Sequence, residues 1–204
     1  IGGLSFYQRA EIKDALAYLK LVLNPHDGMS LLRIINVPAR GIGKTSMEQV
    51  EKIANDRGVS LWSALGIACA EHLLGSRAEA AISAFCKLIN EIRSGMGIEM
   101  HDAPEAGLQA DLGMSNGAWT PDQTLIEILT RTGYRRMLET DPSHDSESRL
   151  GNLEELVSAA AEAGERGETL TEFLDHAALV ADSDNLDEKA QVSLLTMHNA
   201  KGLE

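Results

Sequence analysis

The chain has 204 residues, of which 44% are hydrophobic and 4% aromatic, enough for one large domain or one and a half. A net charge of −13 argues against a protein that coats nucleic acid over its whole surface, because phosphate binding is driven by clustered Lys and Arg. No apolar run reaches the roughly 20 residues of a membrane span, and the opening IGGLSFYQRAEIKD lacks the apolar stretch of a secretion signal, so a cytoplasmic protein without membrane contact is expected.

The chain opens on Ile1 without a Met, as a piece cut from a longer protein would. Residues 1–8 read as the end of a strand running into a turn. From Arg9 to Leu23 the residues Ile12, Ala15, Leu16, Leu19 and Leu23 recur at helical spacing, and Asn24-Pro25 stops that helix. Asp27 or Ser30 is placed to cap a short helix over Leu31–Ile35, which Pro38 closes.

The stretch LLRIINVPARGIGKTSMEQV, Leu31 to Val50, carries the candidate site. Gly41-Ile42-Gly43 makes a sharp bend, and Thr45 or Ser46 is expected to cap the helix that follows, with Met47, Val50, Ile53 and Ala54 inward and Gly58 at its end. Two glycines beside a helix start let backbone approach a ligand closely. The first N–H groups of a helix have no internal partner, and the helix dipole favours an anion there. With Arg40, Lys44 and Thr45 alongside, the bend describes a phosphate seat. The candidate contact set is Arg40, Gly41, Ile42, Gly43, Lys44 and Thr45. The spacing of Pro38, Gly41-Ile42-Gly43 and Val50 resembles the helix-hairpin-helix family, which holds a DNA phosphate on hairpin amides without reading bases. GIGKT also looks like the tail of a P-loop, but the first P-loop glycine would stand at position 38, where Pro38 removes a donor. The plain structural alternative is a turn whose glycines serve only their φ angles.

Beyond the bend, Ser60 caps a helix with Leu61, Leu65 and Ala68 inward. After Gly75-Ser76 a long helix runs to about Arg93 with Ile82, Phe85, Ile89 and Ile92 inward. Residues Ser94–Trp119 are glycine-rich and without period; an exposed mobile loop is expected, packed down at one end by Trp119. Thr120-Pro121-Asp122-Gln123 is a capping-box helix start, with Leu125, Ile128 and Leu129 inward and a stop at Gly133. Tyr134–Glu139 is a short helix, Asp141-Pro142-Ser143 a turn, and Arg149–Glu165 a helix with Leu150, Leu153, Leu156, Val157 and Ala160 inward. Thr169-Leu170-Thr171-Glu172 is a second capping box, with its helix running to about Ala181. Asp182–Glu188 reads as a charged linker and Gln191–Met197 as a strand. Cys69 and Cys86 sit in apolar helical patterns and read as buried thiols, and the six histidines show no metal-ligand spacing.

Three stretches together, IGGLSFYQRAEIKDALAYLKLVLNP, LLRIINVPARGIGKTSMEQV and VSLLTMHNAKGLE, resemble the UvrD/Rep/PcrA-type superfamily 1 DNA helicases. Thr196 to Glu204 matches the motif V of that family throughout. The resemblance implies an all-α multi-helix insertion domain, called 2B, over residues 9–189. It grows from the edges of the second RecA-like motor domain, called 2A, at residues 1–8 and 190–204. It further implies a parent that is an ATP-dependent 3′–5′ DNA helicase, in which 2B grips duplex backbone and regulates unwinding. On motif V, His198 would face single-stranded DNA, while Glu204 and Lys201 would belong to the nucleotide. ATP and Mg would serve the parent. The chain itself has no Walker A, Walker B acids or arginine finger, so the isolated piece is expected to need no cofactor and to be catalytically inactive. The implied partners are duplex DNA, a duplex/single-strand junction, the motor domains and repair proteins. The competing reading is a protein–protein regulatory module without DNA contact, suited by the acidic balance and the 94–119 segment.

Overall fold

A computed structural model describes residues 6–98 and 119–183 of the chain. Among the described residues there are nine α-helices and no strand. They are α1 (Ala10–Leu23), α2 (Gly28–Ile34), α3 (Lys44–Arg57), α4 (Leu61–Ala70), α5 (Ser76–Gly95), α6 (Pro121–Arg131), α7 (Tyr134–Glu139), α8 (Ser146–Glu165) and α9 (Leu170–Ser183). The all-helical body read from the sequence is therefore present.

Helix α1 is the axis. Ile12, Ala15, Tyr18, Leu19, Leu21 and Val22 are all fully buried, and α1 packs against α2, α5, α6 and α8. A helix apolar on most of its circumference has to be wrapped by others. Helices α3 and α4 pack on one another, with α4 also against α2 and α5. Helices α6, α7 and α8 pack together, and α5 meets α6. Leu170, Phe173, Leu174 and Ala177 bury the inner face of α9.

Two buried carboxylates on α1 tie its neighbours in register. Glu11 accepts from Asn152 Nδ2 at 2.6 Å and lies 3.5 Å from Arg149 Nε, so α8 is fixed through one carboxylate. Asp14 lies 2.7 Å from Arg33 Nε of α2 and accepts from the Tyr134 hydroxyl of α7 at 2.8 Å. Burial first, and then the hydrogen bond to Asp14, push the Tyr134 hydroxyl well above the usual phenol range, so it stays a donor. Arg93 of α5 donates to the Val22 and Leu23 carbonyls, supplying partners for orphan acceptors at the C-terminus of α1.

Most starts and stops follow the local chemistry read from the sequence. Asp27 caps α2 by accepting from the Met29 and Ser30 amides, and Ser60 caps α4 by accepting from Ser63 N. The Thr120–Gln123 capping box is formed, and Glu172 N donates to Thr169 Oγ1 at the start of α9. Gly58 ends α3 at φ +63°, a left-handed position natural to glycine.

The turn expected near the start is present at residues 7–8, with Arg9 N donating to Phe6 O at 3.2 Å, while the strand end expected before it falls outside the described residues. Three expectations need correction. Helix α2 starts at Gly28 because Asp27, and not Ser30, is its cap. Helix α3 starts at Lys44 with Gly43 as N-cap, so Thr45 and Ser46 lie inside the first turn and cap nothing. Helix α9 runs to Ser183, so the charged stretch from Asp182 begins as helix. Trp119 does pack the chain down, against Gly95, where a Cβ would lie 2.5 Å from Trp119 Cη2. Residues 1–5, most of the 94–119 segment and everything from 184 onward lie outside the described residues. They include the strand expected at 191–197 and the candidates His198, Lys201 and Glu204.

The core makes a stability prediction. Ile89 of α5 is fully buried, and Ile89→Ala should lower the unfolding free energy by about 2–5 kcal/mol in denaturant titration. Leu179, at 41% exposure on α9, is the control, and its alanine variant should stay within about 0.5 kcal/mol of the unsubstituted chain.

Candidate nucleic-acid interface

The bend between α2 and α3 is built from an inward anchor and an outward lip. Val37-Pro38 is a cis peptide, and the Tyr18 hydroxyl donates to the Val37 carbonyl at 2.5 Å. Asn36 Oδ1 accepts from Arg40 N at 2.7 Å, closing the loop on itself. Gly41 then takes φ +77°, a left-handed angle that a side chain would make costly by roughly 1–2 kcal/mol. Ile42 turns into the core at 2% exposure, while Gly41, Gly43, Lys44 and Thr45 on either side of it are exposed.

Gly43 is an N-cap with no side-chain hydrogen bond at the start of α3, and the first backbone bond of the helix comes from Met47 N to Gly43 O. The amides of Lys44, Thr45 and Ser46 are the orphan donors of that first turn, and none has a partner among the described residues. A Cβ on Gly43 would meet nothing within 4 Å, so the space in front of the amides is open. Open donors at the positive end of a helix dipole form a surface that can hold an oxyanion.

The structure divides the predicted contact residues into two groups. Gly41, Gly43, Lys44 and Thr45 share the exposed lip. Lys44 is 91% exposed and reaches Glu48 only at 3.7 Å, an i,i+4 pair worth about 0.3–0.5 kcal/mol. Its ammonium is therefore easily given to a stronger anion. Ile42 and Arg40 point the other way. The Arg40 Nη1 donates to the carbonyls of Ile34, Ile35 and Pro38 at 3.0, 3.2 and 3.1 Å, and Nη2 donates to the Tyr18 hydroxyl at 2.6 Å. The guanidinium also lies 5.0 Å from the centre of the Phe85 ring. Arg40 is thus the strut under the bend, filling the C-terminal carbonyls of α2. Other basic residues near the bend are also engaged: Arg33 with Asp14, Lys52 with Asp56 and Arg57 with Glu71.

Sequence reasoning missed two residues at this site. Tyr18 supplies the hydroxyl on which the bend is hung. Arg77, on the first turn of α5, places its guanidinium over Gly41. No local signal identified Tyr18, whose partners lie about twenty residues away in sequence. For Arg77 the signal was weak but present, in that Ala80 and Ala81 leave it without an acid at i+3 or i+4.

A second concavity, of about 660 Å3, lies along α4 and α5, with Cys69, Cys86 and Asn90 in its wall and the Glu91–Arg131 ion pair at 2.5 Å beside it. Both thiols are free and half-buried, less enclosed than the sequence suggests. Burial, helped by the neighbouring Cys69, pushes the Cys86 thiol up to about 12, which removes it as a nucleophile near neutral pH. Among the described residues no group of three or more His, Cys, Asp or Glu converges as metal ligands, and no helix is long and apolar enough to cross a membrane.

Two predictions follow from this geometry. Arg40→Ala removes four hydrogen bonds and leaves Ile35 O, Pro38 O and the Tyr18 hydroxyl without that donor, so it should lower stability by about 2–4 kcal/mol in thermal or denaturant unfolding. Arg40→Lys should restore little, because a point charge cannot serve a fork of acceptors. Alkylation of Cys86 at pH 8 should be far slower than that of a free cysteine and should become fast only in denaturant. The raised pKa keeps the thiolate fraction negligible until the pH approaches about 12.

Comparison with known proteins agrees with this architecture. The UvrD-like helicase C-terminal domain profile matches residues 1–204. The ATP-dependent DNA helicase PcrA of Staphylococcus aureus is 35% identical over 208 aligned residues, which cover 100% of this chain and 26% of that protein. PcrA of Bacillus subtilis is 36% identical over 215 aligned residues, and the ATP-dependent DNA helicase UvrD1 of Mycobacterium bovis 36% over 225, with the same coverage. The chain thus spans about a quarter of the length of the curated relatives it matches. With a family match over its full extent, the chain belongs to the UvrD-like helicase C-terminal domain family.

Proposed function

We propose that the chain is the 2B insertion domain of an ATP-dependent 3′–5′ DNA helicase, and that it grips duplex backbone through the bend at Gly41–Thr45. The observation that carries this reading is the lip itself. Orphan amides at Lys44, Thr45 and Ser46 face open space, flanked by an available ammonium and pinned from behind by Ile42 and Arg40. Such a contact fixes position on a duplex and is indifferent to sequence. Duplex DNA and its junction with a single strand are the partners this implies.

An insertion is supported by the meeting of the two ends of the described body. Gln8 Nε2, just before α1, donates to Ala181 O near the end of α9 at 3.2 Å. A domain inserted into another needs its entry and exit side by side. On this reading residues 9–189 are 2B, while 1–8 and 190–204 return to the motor domain 2A. His198 then meets single-stranded DNA, and Lys201 and Glu204 meet the nucleotide. ATP and Mg act in motor segments outside this chain, and the 2B domain restrains or permits unwinding by where it holds the duplex. A protein-docking role has its own support in Met29, 82% exposed, and Leu32, 41% exposed, on α2. Repair proteins or the parent's motor domains are the partners it would take.

The test is fluorescence anisotropy of a duplex with a 3′ single-stranded tail, titrated with the 204-residue chain at low salt. Binding should weaken as salt rises. Gly43 has φ −74°, which proline also adopts, so Gly43→Pro deletes the Gly43 amide, which adjoins the three orphan amides of the lip, and fills the space at the cap with little distortion. Combined with Lys44→Glu, it should weaken binding by at least roughly tenfold, the worth of one charge-assisted hydrogen bond. Gly43→Ala, which keeps the amide, should bind normally. Absent binding, or binding indifferent to the double variant, would sink the DNA reading. ATP turnover by the isolated chain would sink the assignment of chemistry to the motor segments.

A further inference from the structure

We infer that Arg77 is the phosphate-contacting arginine of this interface, brought to the bend by α5 and distant from it in sequence. The inference rests on the proposed grip at Gly41–Thr45 and identifies a further residue that makes it. If the lip is to hold a polyanion on an acidic body, cations must stand beside the amides. Arg40, the arginine adjacent in sequence, is unsuited, because its guanidinium already serves three carbonyls and a hydroxyl.

Arg77 has the opposite character. Nε and Nη2 each lie 3.7 Å from where a Cβ on Gly41 would stand, so the guanidinium rests against the bare backbone of the bend. The residue is exposed, and among the described residues Arg77 and Arg136 are the two arginines whose side chains have no hydrogen-bond or ion-pair partner. Its own helix cannot neutralise it. Positions i+3 and i+4 are Ala80 and Ala81, and Glu79 is turned to the Leu74 amide at 3.2 Å and to His72 at 3.1 Å.

A partnerless guanidinium beside open amides has five donors to offer, in a fork that matches a phosphate. Arg77 on the Gly41 side and Lys44 on the Gly43 side therefore bracket the bend. Gly41 thereby has two constraints: its left-handed φ, and a bare face on which Arg77 lies. The ligand chemistry is a nucleic-acid phosphodiester backbone, contacted without base readout.

The experiment measures the salt dependence of duplex binding by the 204-residue chain carrying Arg77→Gln or Arg77→Lys, with Lys44→Glu as a parallel arm. Because Arg77 has no hydrogen-bond or ion-pair partner to lose among the described residues, Arg77→Gln should melt with the unsubstituted chain. It should weaken low-salt binding roughly tenfold, equally on duplexes of different sequence, and reduce the slope of log K against log salt by about one. Arg77→Lys should retain the slope. If Arg77→Gln leaves slope and affinity unchanged while Lys44→Glu weakens binding, Arg77 is no contact and the inference fails while the grip stands. If neither variant changes binding, the grip fails and takes the inference with it.

Discussion

The hydrogen-bond cluster joining Arg40 to Tyr18 is the constraint on which the candidate interface depends. Tyr18 is fully buried in the central helix, yet its hydroxyl both accepts from Arg40 and donates to the Val37 carbonyl. Through it, the position of an exposed loop is set by the most deeply packed element of the fold. A loop held only by its own turn geometry would sample many positions, and the ordering cost would fall on binding. Here much of that cost is met when the domain folds. Two of the three carbonyls taken by Arg40, those of Ile34 and Ile35, lie at the end of α2 and the third, Pro38, lies in the bend, so the same guanidinium ties the helix terminus to the loop.

A second constraint follows from charge. The chain carries a net −13, and a polyanion approaching it at random would be repelled. Most cations are spent on internal partners: Arg33 on Asp14, Arg57 on Glu71, Arg93 on the end of α1, Arg149 on Glu11. Screening limits the repulsion between distant surface charges to about 8–10 Å at physiological salt. What matters at the bend is therefore the local sign, and there Lys44 is loosely paired and Arg77 has no partner among the described residues. An acidic body with one small cationic lip would favour a defined contact over diffuse coating.

The sequence was legible where structure is decided within a few residues. The Ser60 cap, the Thr120–Gln123 box, the left-handed Gly58 and the apolar stripe from Ile82 to Ile92 all stand as read. It was not legible where long-range packing chooses among local options. Thr45 and Ser46 are good caps by type, but Gly43 reaches the extended cap geometry first, and α3 starts there. Arg40 looked like a surface cation because nothing nearby in sequence reveals that Tyr18 and Phe85 lie beneath it. Arg77 carried only a weak signal for the same reason in reverse, since the packing of α5 alone shows where its guanidinium rests.

The missing cap on α3 bears on what the bend is for. Helices α2, α4, α6 and α9 begin with an Asp, Ser or Thr whose oxygen takes an amide or completes a box. At the bend, as at Gly75 before α5 and Gly133 before α7, the cap is glycine. Replacing a serine cap by glycine costs only a few tenths of a kcal/mol, because water or another acceptor can take the exposed amides. A side-chain oxygen at position 43 would occupy an amide and stand in the open space before it. Glycine thus gives up very little stability and leaves the donors unclaimed. The stability lost at the cap is small beside the several hydrogen bonds that hold the bend from behind, so the fold can maintain a rigid, unsatisfied lip at its surface. A turn whose glycines served φ alone would need Gly41, which has a positive φ. It would not need Gly43, whose backbone angles any residue can adopt.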